Sequence, residues 1–324
     1  MEARPIVVVG SLNFDLVAYV ERLAAPGETL PGLEFESHPG GKGANQAAAV
    51  ARLGYPVYMM GRVGSDAFGA ELRNSLERAG VDTTYISTSS GSSGVALIAV
   101  SSDGEDSIIV VPGANALFGP EDLDSNLELI RGASLVLTQL EIPFATVDHL
   151  AEICEEAGVP LILDPAPARP LPRELLRRAA WITPNEVEAR QLSGRDVSAN
   201  DEDALRSLAE HLIKQGPANV LLKLGERGSY LAMQGGCRTV IPACAVRAVD
   251  TTGAGDSFNG AFAVALARGA TPTEAAKFAS AASALSVTRR GAQSSMPTQA
   301  EVNAFLDGGP ELRMELTGVR KEEP

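Results

Sequence analysis

An aspartate stands directly behind a pair of glycines in the stretch Val249–Phe258, VDTTGAGDSF. From Phe258 onward, apolar residues recur at Ala261, Phe262, Ala265 and Leu266, the stripe of an amphipathic helix, and Gly269 closes it. Gly253, Ala254 and Gly255 therefore occupy the helix N-terminus, where unpaired amides and the positive end of the macrodipole favour an anion. Their small side chains let a phosphate approach the backbone, and Asp256 in the first turn directs a carboxylate at the same spot. An anion cradle beside a proton acceptor is what transfer of a phosphoryl group to a hydroxyl requires. The competing reading of these residues alone is an aspartate that only complements the helix dipole.

A second cluster, Pro39-Gly40-Gly41-Lys42-Gly43-Ala44-Asn45-Gln46-Ala47, opens another helix with glycines, a cation and an amide. By itself such a start is as often a tight turn. Upstream, Gly10-Ser11-Leu12-Asn13-Phe14-Asp15 leaves the first strand with an amide and a carboxylate two residues apart. In an open α/β sheet the carboxyl ends of strands face the ligand crevice. Asn13, Asp15, Lys42 and Asn45 are donors and acceptors suited to a polyhydroxylated ligand. Singly each reads as surface decoration; together they favour a polar small molecule.

Neither familiar nucleotide motif is present. Gly41-Lys42 runs into Gly43 and has Glu36 where a P-loop needs its first glycine, and Gly253-Ala254-Gly255 has Phe258 where a dinucleotide fingerprint needs its third. A nicotinamide dehydrogenase is disfavoured accordingly.

The elements that must position these residues follow from periodicity. Ile6–Val9 reads as a buried strand ending at Gly10, with half-buried strands at 16–20 and 33–37 around Pro26-Gly27. A helix over 43–53 stops at Gly54, a strand follows at 57–60, and a helix over 66–79 ends at Gly80. Strands at 94–101 and 107–111 flank an Asp-Gly turn. Beyond residue 120, helices near 121–131, 144–157, 172–179 and 201–215 alternate with strands at 134–138, 161–163, 181–183 and 219–223. Further strands at 229–233 and 238–241 precede helices at 254–268, 272–288 and 298–306. The alternation implies a largely parallel sheet covered on both faces. The strand-rich segments 16–37 and 94–111 fall outside it and predict a small accessory sheet, split in sequence and joined in space.

Bulk properties narrow the function classes. The chain has 324 residues, a net charge of −14 and a 45% hydrophobic composition, with three widely spaced cysteines, Cys154, Cys237 and Cys244. The charge argues against nucleic acid or anionic membrane as partner. Three isolated cysteines fit neither a disulfide framework nor a zinc site, so a reducing cytoplasm is expected. The N-terminus lacks a signal-peptide pattern, and no apolar run is long enough for a membrane span.

The pieces GSLNFD (10–15), PGGKGANQAAA (39–49), GVALI (94–98), PGANA (112–116), QLEIP (139–143) and DPAPAR (164–169) are followed by TPNEVEA (183–189), KLGERG (223–228), VDTTGAGDSFNGA (249–261) and TRRGAQSSMP (288–297). On these, from about residue 5 to 306, the chain resembles the ribokinase-like (pfkB-type) sugar kinases. DPAPAR and GAQSS point to the ribose-phosphorylating branch. The resemblance implies a three-layer α/β/α sandwich of 1–14, 38–93 and 112–308, a β-sheet lid of 15–37 and 94–111, and a polar tail over 309–324. It implies ATP-dependent phosphorylation of D-ribose at O5, with Mg²⁺ on the phosphates, a K⁺ activator and a homodimer formed through the lid.

By matched positions, Asp256 would be the base, and Gly253, Ala254 and Gly255 the anion hole. Asn13, Asp15, Gly41, Lys42, Asn45 and Glu141 would hold the sugar; Asn185, Glu188, Lys223, Gly225, Gly228 and Ser280 would lie along the nucleotide, with Asn185 and Glu188 near phosphates and magnesium. Lys223, Ser280, Asp164 and Phe14 depart from common family residues, which bears on nucleotide affinity and sugar selectivity. Rival acceptors are fructose, 2-keto-3-deoxygluconate or a nucleoside. A non-catalytic sugar sensor would have no need of Asp256.

Asp250 raises a separate question, because a carboxylate this near a phosphate cradle opposes it unless neutralised. The loop Arg289–Ser295 could bring oxygen ligands for a monovalent cation, or an ion pair from Arg289 or Arg290 could do the work. The resemblance favours the cation, held by Asp250, Ser295 and carbonyls of Thr252, Ser286, Arg289 and Gly291.

Overall fold

The computed structural model describes residues 3–194 and 202–308; the tail over 309–324 lies outside them. Among the described residues, thirteen strands form in chain order. β1 (Ile6–Val9), β2 (Asn13–Val20), β3 (Glu34–Gly40), β4 (Val57–Gly64) and β5 (Ile86–Ser89) come first. β6 (Gly94–Ser101), β7 (Asp106–Val111), β8 (Leu135–Thr138) and β9 (Leu161–Leu163) follow. β10 (Trp181–Ile182), β11 (Asn219–Lys223), β12 (Ser229–Met233) and β13 (Arg238–Ile241) complete the set.

Nine of them make one sheet in the order β13-β12-β11-β10-β9-β8-β1-β4-β5. All neighbours in it are parallel except β11–β12 and β12–β13. Alternation along the central strands builds two cores. Ile6, Val8, Leu135 and Leu137 pack on one face; Val7, Val9 and Val136 pack on the other. Both faces are therefore dry, as a parallel sheet between helical layers demands. The chain leaves β1 toward β4 on one side and β8 on the other, so the strand order reverses at β1. That reversal opens a crevice beyond the carboxyl end of β1.

The remaining four strands form a separate sheet, β3-β2-β6-β7, joining the two predicted segments. β2 begins at Asn13, three residues earlier than the apolar pattern indicates, so Asn13 and Asp15 belong to this sheet. Asn13 lies opposite Gly40 and Gly94, and Asp15 opposite His38 and Ala96. The candidate residues predicted in the first loop are thus fixed by strand pairing.

Three expectations change. The helix predicted over 121–131 is two, Pro120–Asp124 and Leu127–Gly132. Asn126 separates them, its side-chain amide capturing the Asp122 carbonyl at 2.8 Å, a local bond that competes with helix continuation. Ile86–Ser89 pairs with β4 although its sequence, ISTS, is too short and polar to announce a strand. A further helix, Glu186–Ser193, lacks a strong apolar stripe and is defined by its capping box.

Candidate active site

The helix Lys42–Arg52 begins where the chain returns from the small sheet. Gly41 has φ 89°, and a Cβ there would sit 2.6 Å from the Asn13 amide nitrogen. Glycine is thus required for the helix start to lie against β2. Glu141 ties this corner together: its Oε2 accepts from Ser11 Oγ at 2.6 Å, from the Lys42 amide at 3.1 Å and from Asn13 Nδ2 at 3.5 Å. Asn115 braces Asn13 from the other side, donating to its Oδ1 at 2.8 Å. Asp15 lies against Gly40, whose missing side chain leaves room for the carboxylate. Burial first, then Glu141 and Asp256, push the Asp15 carboxyl up to about 7 against the opposing pull of His38 and Lys42.

Asp256 enters from the helix Ala254–Ala267, whose N-cap Gly253 adopts φ 73°. Its carboxylate is 6% exposed. Oδ2 accepts from Asn45 Nδ2 at 3.0 Å and Oδ1 from Gln46 Nε2 at 3.1 Å. Burial, with Asp164 adding to it, pushes Asp256 up to about 6, while Lys42 and the two amides hold it down. A base with a value near neutrality is matched to proton abstraction at physiological pH. Burial disfavours the Lys42 ammonium, but the fields of Asp256, Asp164, Glu141 and Glu188 outweigh it and hold the lysine firmly charged. Two segments far apart in sequence thus meet as one acidic, cation-balanced site with a glycine-rich helix start at its edge.

Residues 3–299 match the profile of the pfkB family carbohydrate kinases. The chain belongs to that family. It is 42% identical over 307 residues to ribokinase of Bacillus subtilis, covering 94% of this chain and 99% of the relative. It is 38% identical over 303 residues to deoxyribokinase of Salmonella typhi, covering 93% and 98%. Its fold matches the structure of Arabidopsis thaliana ribokinase complexed with ribose and ATP with a TM-score of 0.89 and 40% identity, over 95% of this chain and all of that one.

Other predicted positions of this pfkB kinase have more specific surroundings than the sequence indicates. In the cradle, the Ala254 amide is already used, donating to the Thr251 carbonyl at 3.1 Å. Asn185 and Glu188 bond each other: Glu188 Oε1 and Oε2 accept from Asn185 Nδ2 at 2.8 Å and its amide at 2.7 Å, and Asn185 Oδ1 accepts from the Glu188 amide at 2.9 Å. Burial raises the Glu188 carboxyl, with Lys223 opposing. Gly228 has φ 88°, and a Cβ there would fall 2.0 Å from the Ile241 carbonyl oxygen, a packing reason for glycine independent of any ligand. Gly225, at φ 59°, meets no close neighbour. Ser280 is buried, and its hydroxyl has no hydrogen-bond partner among the described residues.

Asp250 joins the two loops that the sequence places near it. Its Oδ1 accepts from the Thr252 amide at 2.9 Å and its Oδ2 from the Gly291 amide at 2.7 Å. Burial opposes its ionisation, but these backbone donors hold its carboxyl below the ordinary value. The alternative of an ion pair with a neighbouring arginine is not realised: Arg289 pairs with Glu301 at 2.5 Å and Arg290 with Glu36 at 3.8 Å. The Ser295 hydroxyl donates to the Ala292 carbonyl, which leaves its oxygen able to accept or ligate, and the Ser286 carbonyl accepts from the Arg289 amide at 3.2 Å.

Sequence reasoning assigns no site role to Gln46, Gln139 or Asp164. Gln46 Nε2 donates to Asp164 Oδ2 at 3.0 Å as well as to Asp256, and its Oε1 accepts from Gln139 Nε2 at 2.7 Å. A signal for Gln46 exists: Asn45 and Gln46 are consecutive amides in a helix whose residues Gly43–Val50 are all buried. Buried amides need partners.

Proposed function

We propose that the protein transfers the γ-phosphoryl group of ATP to O5 of D-ribose, giving D-ribose 5-phosphate and ADP. The observation that carries this reading is the buried Asp256 carboxylate, held by Asn45 and Gln46 at the start of a glycine-led helix and in one electrostatic field with Asp15 and Lys42. Asp15 and Asn13 accept and donate hydrogen bonds to the sugar hydroxyls, with Gly41, Lys42, Asn45 and Glu141 completing that side. As O5 attacks, its proton passes to Asp256 and the O5–phosphorus bond forms. The bond from phosphorus to the bridging oxygen breaks, and its electron pair leaves on ADP. The amides of Gly253, Gly255 and Asp256 are the cradle's donors, Ala254's being engaged elsewhere.

Asn185, Glu188, Lys223, Gly225, Gly228 and Ser280 line the nucleotide side of this reading. Magnesium enters with the ATP phosphates, and Glu188, a carboxylate in the field of Lys223 and Lys42, fits the metal–phosphate end. Potassium fits beside Asp250, where a carboxylate bridges two loops rich in carbonyls and hydroxyls. An all-oxygen set with one formal charge suits a large monovalent cation. The small sheet supports a homodimer: Leu33, Phe35, Leu97 and all of β7 are exposed, and the register sets Phe35, Leu97 and Ile109 on one face of the sheet, an exposed apolar face of the kind that marks a protein contact. Free thiols at all three cysteines fit a reducing cytoplasm.

A second reading, 2-deoxy-D-ribose as acceptor, rests on the deoxyribokinase relative. A coupled ADP-release assay across D-ribose, 2-deoxy-D-ribose, fructose, 2-keto-3-deoxygluconate and nucleosides separates them. The highest kcat/KM with D-ribose supports the proposal; a higher value with any other acceptor replaces it, and no ADP release with any acceptor refutes the kinase reading.

A further inference from the structure

Lys223 is the last residue of β11, at the carboxyl end of a strand that opens toward the crevice. Its side chain is 13% exposed, and its ammonium lies 2.8 Å from Asp164 Oδ1, a carboxylate only 2% exposed. Among the described residues beyond its own helix turn and chain neighbours, the atom within 4 Å of the place where a Cβ would stand on Gly255 is Lys223 Nζ, at 3.5 Å. A single cation therefore faces the second glycine of the cradle. Asp164 Oδ2 accepts from Gln46 Nε2, and the same nitrogen donates to Asp256 Oδ1. Gln139 donates to Gln46 Oε1 and so holds the amide with its NH₂ toward both carboxylates. Lys223, Asp164, Gln46 and Asp256 form one continuous run from cradle to base.

A buried ion pair of this kind is a poor device for stability, because desolvating both charges offsets their attraction. It is a good device for phosphoryl transfer, where a preorganised cation meets charge that develops at the transferring group. Building on the reading of Asp256 as base, we propose that Lys223 is a catalytic residue that lends its ammonium to the phosphoryl group at the Gly255 end of the cradle, and that Asp164 and Gln46 are positioning residues. Lys223 keeps its proton throughout: O5 gives its proton to Asp256, and the electron pair of the broken bond leaves with ADP. Asp164 aims the ammonium, and the ammonium in turn screens Asp164 from Asp256. Without that screen the Asp164 charge favours the protonated base.

The groups that face Asp256 are Lys42, Asn45 and Gln46 from one helix, Asp164 from the loop after β9 and Asp15 from β2. Lys223 and Glu188 act on it through Asp164. The test is the pH dependence of kcat and of the ATP KM for the wild type, Lys223→Met, Lys223→Arg and the double variant Asp164→Asn/Lys223→Met. Loss of one donor to developing charge costs on the order of 10²-fold in kcat. Lys223→Met should fall by that order and move the acid limb of its kcat profile upward. Lys223→Arg should recover several-fold over Lys223→Met. In the double variant the acid limb should return to the wild-type position while kcat stays low, and the ATP KM should change less than kcat throughout. If Lys223→Met folds poorly, the arginine and double variants carry the same comparison. A double variant with wild-type kcat would make the pair structural and overturn the proposal, as would an acid limb that does not move in Lys223→Met. Asp256→Asn, measured beside them, isolates the base: if it retains turnover, the base assignment fails whatever the Lys223 series gives.

Discussion

Replacing Asp256 by asparagine should abolish most turnover and at the same time flatten the dependence of stability on pH. The carboxyl sits at about 6 in the fold against an ordinary 3.8. A difference of that size is worth roughly 3 kcal/mol. Because the folded value is raised, the penalty is absent at low pH and grows as pH rises toward and through about 6. Wild-type stability should therefore fall by up to that amount, from this group, between acid and mildly alkaline solution. Asparagine removes the charge but offers one acceptor to two donors, Asn45 Nδ2 and Gln46 Nε2. Stranding one of them costs about 1–3 kcal/mol at every pH. The variant should thus be less stable than the wild type in acid and nearly level with it, or slightly above it, in mild alkali. Chemical denaturation at several pH values reads the stability effect. Steady-state kinetics with D-ribose reads the catalytic one, a loss of roughly 10²–10⁴-fold in kcat, with ribose KM within a modest factor of wild type. Retained turnover refutes the base assignment. A stability difference that does not change with pH refutes the electrostatic account of the site.

The ribose KM should rise as pH falls through about 7, where Asp15 gains its proton, and Asp15→Ala should raise it at least about 10-fold with little effect on the ATP KM; equal shifts in both constants would make Asp15 structural. At fixed ionic strength, turnover should be several-fold higher in KCl than in NaCl or a bulky organic cation salt, and Asp250→Ala should lose that preference; equal wild-type rates in all three salts would remove the cation. Ile109→Glu, on the exposed β7, should shift the protein to monomer in analytical ultracentrifugation, whereas an unchanged sedimentation coefficient would remove the small sheet as the interface. Gly228→Ala should lower the melting temperature strongly, since its Cβ would overlap the Ile241 carbonyl, whether or not nucleotide is present; a melting temperature equal to wild type would leave nucleotide contact as the reason for glycine.

Much of the fold was legible in the chain because its central strands are short apolar runs punctuated by glycine. Ile6–Val9, Leu161–Leu163 and Asn219–Lys223 coincide with their predicted spans, since a strand buried on both faces needs unbroken hydrophobicity. The strand Ile86–Ser89 and the helix Glu186–Ser193 escaped because neighbours and a cap define them, not periodicity. The candidate site residues Asp15, Lys42, Asn45 and Asp256 could be named from glycine spacing, helix polarity and the end of the first strand. Which groups share a hydrogen bond could not. Gln46 lies 118 residues from Asp164 and 210 from Asp256, so only strand order and helix packing bring one amide between two carboxylates. The same holds for electrostatics: Asp15 is raised by burial and by the charges of Glu141 and Asp256, and Asp256 by burial and the charge of Asp164 against Lys42, quantities that exist only once the chain is folded. Residue type sets what a group can do, and the tertiary structure decides the dielectric and the partners that make it do so.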